Sequence, residues 1–288
     1  MTYPPLRWDA RAEGLIEHLA RRVSPIDWGS TKLAMFTVYF DASGSEAGQP
    51  ALAIGGFLAS TEQWYSFEKQ WVKRLADDDL EYFHASEFNG CSGQFKSGWR
   101  GNEERRTGLI VDLVAIIQGH AGRKFGSVVV NRALSSVLSP QDRKEWHLCA
   151  YSLAGRTCAA RVRQWTIAEH LKSVPELVFE DGDAGKGELI SILRRDGFSA
   201  PVFQPKRDRV DADGTIVKCA IPLQAADLLA FELFDPIRKI ERDGYIKRIK
   251  KTYREIDRVP GEPGCYEVES LTALKNRLVD LSRSINAQ

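Results

Sequence analysis

The stretch Met35-Phe-Thr-Val-Tyr-Phe-Asp-Ala-Ser-Gly44 constrains the fold more than any other. Phe36, Val38 and Phe40 alternate with Thr37 and Tyr39, and β-branched and aromatic residues suit a pleated surface. Ser43 and Gly44 break the run. The pattern predicts a buried strand that ends on Asp41 and then turns. A rigid sheet can hold a carboxylate there, and strand ends of α/β sheets are where sites form.

The rest of the chain is read around that strand. A second buried strand is expected over 51–58, and the short link favours an antiparallel hairpin. Gly55 and Gly56 mark a bulge or a close backbone approach. A helix follows over 61–76, with Thr61 as N-cap and Trp64, Phe67, Trp71, Val72 and Leu75 on one face. Residues 81–88 read as a third short strand, and 89–101 as an exposed loop rich in Gly, Ser and Asn. Helices are expected over 103–120, 141–171, 186–196 and 223–234, the last opened by Pro222. Strands are expected at 125–130, 177–180, 202–203 and 215–221, with a hairpin turn at Asp213-Gly214. Helices over 9–23, 239–258 (charged) and 269–284 (amphipathic) complete the chain. This order predicts a mixed-sheet α/β fold with helices on both faces. It divides into an N-terminal helical appendage (1–30), a main domain (31–236) and a C-terminal helical extension (237–288).

Composition narrows the function classes. With 288 residues, 43% hydrophobic and 27% charged, the chain can bury a sizeable core. A net charge of +1 means no global field draws in nucleic acid, so any such site is a local patch. Five scattered cysteines without a Cys-x-x-Cys pair point to reduced thiols and a cytoplasmic location. No apolar run approaches the roughly 20 residues of a membrane span, and no zinc spacing is present.

The chemistry lies in separated carboxylates. Asp41 ends one strand, Glu87 follows another, and Asp181 and Asp183 follow a third, while Asp227 lies early in a helix. Hard divalent cations prefer oxygen ligands, and a two-metal phosphoryl-transfer site draws carboxylates from several elements. His84 and Glu87 lie three apart beside aromatics, so His84 is a candidate ligand or general acid/base. The segment Glu180-Asp-Gly-Asp-Ala-Gly-Lys-Gly-Glu188 is neither a P-loop nor an EF-hand loop. It is an acidic loop feeding a helix N-terminus, with Lys186 in reach of a phosphate. Gln224 and Asp227 share one face of an otherwise apolar helix, which calls for something polar opposite them. Lys96, Arg100, Lys186, Lys206, Arg207 and Arg209 are the basic residues that would approach phosphates. No nucleophile elbow is present.

Five motifs taken in order, Tyr39-Phe-Asp-Ala-Ser-Gly44, Ile54-Gly-Gly-Phe57, Phe83-His-Ala-Ser-Glu-Phe88, Val178-Phe-Glu-Asp-Gly-Asp183 and Pro222-Leu-Gln-Ala-Ala-Asp-Leu-Leu229, resemble domain-of-unknown-function family 3800. The resemblance spans roughly residues 35–235. It implies an RNase H-like fold and a metal-dependent nuclease, with Mg2+ or Mn2+ as cofactor and nucleic acid as partner. Carried over, it implies metal and catalytic roles for Asp41, Asp181 or Asp183, and Asp227, with Glu87 or His84 handling the water and Ser43 and Gln224 as accompanying motif residues. The family's second acid falls on Ala42, a departure that puts one ligand in doubt. Members of the family are often encoded with mobile-element or phage-defence functions. Two alternatives stay open at this level: an RNase H-like binding or scaffold module without chemistry, its C-terminal helices meeting a protein partner, and a metal-dependent nucleotide phosphohydrolase. Acids tied up in salt bridges would favour the scaffold.

Overall fold

The computed structural model describes residues 36–246, 250–261 and 263–286, with 281–286 as backbone only. The helix expected over 9–23 lies outside them.

The first two strands, β1 (Phe36–Ser43) and β2 (Ala51–Ser60), form the expected antiparallel hairpin. The helix α1 (Thr61–Ala76) is capped one residue earlier than expected. Ser60 Oγ accepts from Gln63 N, and Gln63 Oε1 accepts from Ser60 N, so two orphan donors are satisfied reciprocally.

Residues 81–84 are not a strand. They run as loop into the short helix α2 (Ala85–Gly90), followed by a 3-10 turn at Gly93–Phe95 and by α3 (Glu103–His120). The reason is that β3 (Arg123–Val130) takes the free edge of β2 along nearly its whole length. Phe83 instead packs against Phe88 and Phe95, which in turn meet Trp99. The loop expected to be exposed is therefore anchored, with Phe95 and Trp99 buried and the Arg105 guanidinium 4.0 Å over the Trp99 ring.

The long helix expected over 141–171 is two helices. After α4 (Asn131–Val137), α5 (Pro140–Glu145) and α6 (Ala150–Ala168) are separated at residues 146–149. Ser139 caps the first and Cys149 the second, and His147 between them takes φ +54°, which no helix continues. The chain then forms β4 (Glu176–Glu180), α7 (Lys186–Arg195) and β5 (Val202–Gln204). A small separate hairpin, β6 (Arg209–Val210) with β7 (Ile216–Val217), turns at Asp213-Gly214 as expected. It covers only two residues of the predicted 215–221 strand.

The helix α8 (Pro222–Asp243) runs well beyond the predicted end, and its first fourteen residues are buried. The stretch expected as one charged helix over 239–258 is split between the end of α8 and α9 (Lys251–Ile256). The chain closes with β8 (Pro263–Tyr266) and α10 (Val268–Asn286), so the C-terminal stretch also contributes a sheet strand.

The sheet order is β5-β4-β1-β2-β3-β8. The β1–β2–β3 meander is antiparallel, while β4 and β5 add in parallel on the β1 side and β8 in parallel on the β3 side. Strand alternation sends Tyr39, Ala53, Phe57 and Val178 to one face, where α1, α3 and α8 pack. Phe40, Ile54, Leu58 and Phe179 go to the other, covered by α4, α6, α7 and α10. This is the mixed sheet with helices on both faces that the order of strands and helices predicts.

Candidate metal centre

Register brings the acids together. Phe40 pairs with Phe179 across the parallel β1–β4 ladder, and the two rings stack at 4.9 Å. The next residues, Asp41 and Glu180, therefore lie side by side and present to the opposite face, toward α8. Asp41 also pairs with Gly55 across β1–β2. Gly55 lets α8 come down onto the sheet: a Cβ there would sit 2.7 Å from Ala230 N. That close approach brings Asp227, one turn earlier on α8, to the Asp41 side of the sheet.

Asp41, Glu180 and Asp183 each offer a carboxylate oxygen within 4.8 Å of the others. The donor set is all oxygen, which suits a hard divalent cation such as Mg2+ or Mn2+. Asp183 Oδ2 is buried without a hydrogen-bond partner, a state that a bound cation would relieve. The three acids fit a metal ion on both counts.

Electrostatics show the strain of the arrangement. Burial pushes Asp41 well above the ordinary carboxylate value, aided by Asp227 and Glu180 and opposed by Lys206. Burial, with Asp183, Asp181 and Asp227 nearby, pushes Glu180 to about 7, again against Lys206. Asp183 is also raised, by burial first, against a hydrogen bond with Ser45.

Lys206 sits inside this group. Its Nζ lies 2.9 Å from Asp41 Oδ2 and 3.4 Å from Asp227 Oδ1. Burial would lower its ammonium, but Asp41, Asp227 and Glu180 outweigh that and raise it. Lys206 was expected among the phosphate contacts, yet its side chain is only 18% exposed and is engaged by acids.

The remaining expected residues fall into three places. Asp227 is fixed by Ala85 N, which donates to Oδ2 at 2.6 Å, and it lies 3.8 Å from His84 Nε2. His84 Nδ1 is 3.2 Å from Glu87 Oε1, and Tyr82 Oη donates to Glu87. Gln224 is the buried partner its polar face called for: Oε1 accepts from Trp71 Nε1 and Phe83 N, and Nε2 donates to Lys206 O. Ser43 closes β1, paired with Ala53.

Asp181 is placed apart from the three-acid group. Its backbone N–H continues the ladder to Gln204 O, and its carboxylate binds Lys186 Nζ at 2.6 Å and Arg209 Nη1 at 2.9 Å. The Lys186 hydrogen bond, against burial and with Arg209 helping, holds it below the ordinary range. One step along an extended chain reverses the facing, so Glu180 and not Asp181 shares Asp41's side. The signal lay in the sequence: Glu180 has the same parity in Leu177-Val-Phe-Glu180 as Asp41 has in Val38-Tyr-Phe-Asp41.

Among the basic residues, Arg207 is exposed, with Nη1 donating to Tyr82 Oη at 3.3 Å. Lys96 and Arg100 are exposed on the loop before α3. Lys186 and Arg209 are committed to Asp181.

No family model matches the chain, and no curated protein does. Solved structures align with it at low similarity. Ribonuclease H2 from Pyrococcus horikoshii OT3 is 14% identical with a TM-score of 0.37, over 78% of this chain and 98% of that one. Bst-RNase HIII in complex with Mn2+ is 10% identical with a TM-score of 0.38, over 83% and 65%. RNase HII in its PCNA complex from Archaeoglobus fulgidus is 17% identical with a TM-score of 0.33, over 77% and 86%. The chemistry of the site rests on its own residues.

Proposed function

We propose that this chain hydrolyses phosphodiester bonds in nucleic acid, using one or more divalent ions, Mg2+ or Mn2+, held at Asp41, Glu180 and Asp183. The observation that carries the proposal is the convergence of these three carboxylates from β1, the end of β4 and the turn after it, with one buried Asp183 oxygen left unpartnered. The motif order resembling domain-of-unknown-function family 3800 supports the same reading, and with it a link to mobile elements or phage defence.

A bound divalent ion would neutralise charge at the scissile phosphate and make a bound water more acidic. His84 takes the proton of the attacking water at Nε2, its ring oriented by Glu87 at Nδ1. Asp227 Oδ1 lies 3.8 Å from that nitrogen. Exposed Arg207, beside Tyr82, meets the substrate backbone.

Labelled single-stranded and duplex DNA, RNA and an RNA/DNA hybrid, incubated with Mn2+ or Mg2+, test the proposal. Cleavage of at least one substrate is expected, lost on chelation and in Asp41→Asn and Glu180→Gln. A wild-type protein that binds Mn2+ but cleaves none of them overturns it; release of phosphate from nucleoside triphosphates by that protein would assign the nucleotide phosphohydrolase instead. One observation favours a module without chemistry: Lys206 already neutralises part of the acidic group. In that case the wild type binds no Mn2+ and Asp41→Asn changes nothing but stability.

A further inference from the structure

We propose that Lys206 is a built-in counter-ion standing where a second metal ion would bind, so that the acidic group takes one divalent ion and not two. The inference rests on the metal-binding reading above.

Asp41 belongs to two constellations. It is one of the three acids that converge on a cation position, and it is also ion-paired with Lys206 at 2.9 Å. Asp227 completes the second constellation, its Oδ1 3.4 Å from the same ammonium. A carboxylate shared in this way is what bridges two metals roughly 3.5–4 Å apart in a two-metal site. Here the second position is filled by nitrogen.

Asp227 is not among the three acids whose oxygens converge. Its Oδ2 accepts from Ala85 N at 2.6 Å, and its Oδ1 faces Lys206 and His84. A divalent ion bridging Asp41 and Asp227 would have to occupy the Lys206 Nζ position, and two cations cannot share it.

The lysine is also held at its root. Gln224 Nε2 donates to Lys206 O at 3.0 Å, and Ala220 N donates to the neighbouring Pro205 O at 2.9 Å. Gln224 is itself locked by Trp71 and the Phe83 backbone. The backbone that delivers the ammonium is thus fixed by the same helix that carries Asp227, and only the side chain can move.

Mn2+ stoichiometry decides the matter, measured by calorimetry on wild type, Lys206→Arg and Lys206→Met, with circular dichroism to confirm folding. One Mn2+ per chain is expected for wild type and Lys206→Arg, and two for Lys206→Met. Electron paramagnetic resonance then shows dipolar broadening from a close Mn2+ pair in Lys206→Met alone. Two ions in the wild type overturn the assignment of Lys206 while leaving the metal centre standing. One ion in a folded Lys206→Met overturns it as well. No binding in any of the three removes the metal centre itself, and this inference with it. Should Lys206→Met not fold, Lys206→Gln replaces it in the same comparison.

Discussion

Gly55 lies against Ala230 with no room for a methyl group between strand and helix: a Cβ would come within 2.7 Å of Ala230 N and 2.8 Å of the Leu229 side chain. The contact sets the height of α8 above the sheet at the position directly paired with Asp41. Gly55→Ala is expected to destabilise the protein by about 1–3 kcal/mol, as overpacking does in a filled core. It should also ease Mn2+ binding, because Lys206, the cation competing for Asp41, shifts away with α8. Urea denaturation alongside a Mn2+ titration checks both; unchanged stability would show that the helix has slack here.

Gln224 joins three parts of the fold through one amide. Removing it in Gln224→Ala leaves Trp71 Nε1 and Phe83 N without their acceptor in the core. Each orphaned buried donor costs about 1–3 kcal/mol. Gln224→Glu keeps the acceptor but loses the donor to Lys206 O and adds a charge, so it is expected to destabilise less toward Trp71 and more toward Lys206. Chemical denaturation of the two variants, followed by tryptophan fluorescence, separates these contributions.

Proton competition gives the metal centre a pH signature. Glu180 rises from 4.5 to about 7 on folding, through burial first and then the neighbouring acids. The native state therefore holds a proton that the unfolded chain releases, and this contribution to stability is lost as pH rises from 4.5 through about 7. The metal-free protein should melt lower on the alkaline side of that window, while Mn2+ affinity increases across it. Asp41 and Asp183, raised in the same sense, add to the slope. Thermal melts with and without Mn2+ should converge at acid pH and part above neutrality. A flat melting profile, or metal affinity that does not change with pH, would contradict the arrangement.

A second charged cluster has the opposite sign. Burial alone would raise Asp235, but Lys239, Arg238 and Lys250 hold it well below the ordinary carboxylate range. Its contribution is present above the unfolded carboxylate value and is lost as pH falls into acid. Asp235→Asn should cost about 1–3 kcal/mol near neutrality, since three cations lose a shared and nearly buried partner. The penalty should shrink at acid pH, where the wild-type carboxylate is itself giving up its charge. Comparing denaturation midpoints of the two proteins across that range is the check.

The strands around Asp41 were legible because hydrophobic alternation and turn residues are local signals. The β1–β2 hairpin, the 103–120 helix and the Pro222 helix start all appear where those signals put them. The errors share a cause. The segment 81–88 has strand-like residues, but a strand needs a free sheet edge, and β3 holds the one beside β2. The break at residues 146–149 depends on caps at Ser139 and Cys149, which compete with an apolar pattern that runs straight through.

By itself, the sequence determined that a buried carboxylate would stand near the end of a core strand, and that further acids would follow a later strand and open a late helix. It also carried the requirement for a polar partner opposite Gln224 and Asp227. Tertiary structure alone decided which acids meet. Parallel pairing of β1 with β4 sets Glu180, not Asp181, beside Asp41, because one residue of extended chain reverses the facing of a side chain. It likewise decided that Lys206 points into the acids, because its position depends on α8 holding its backbone across a separation that no local pattern encodes.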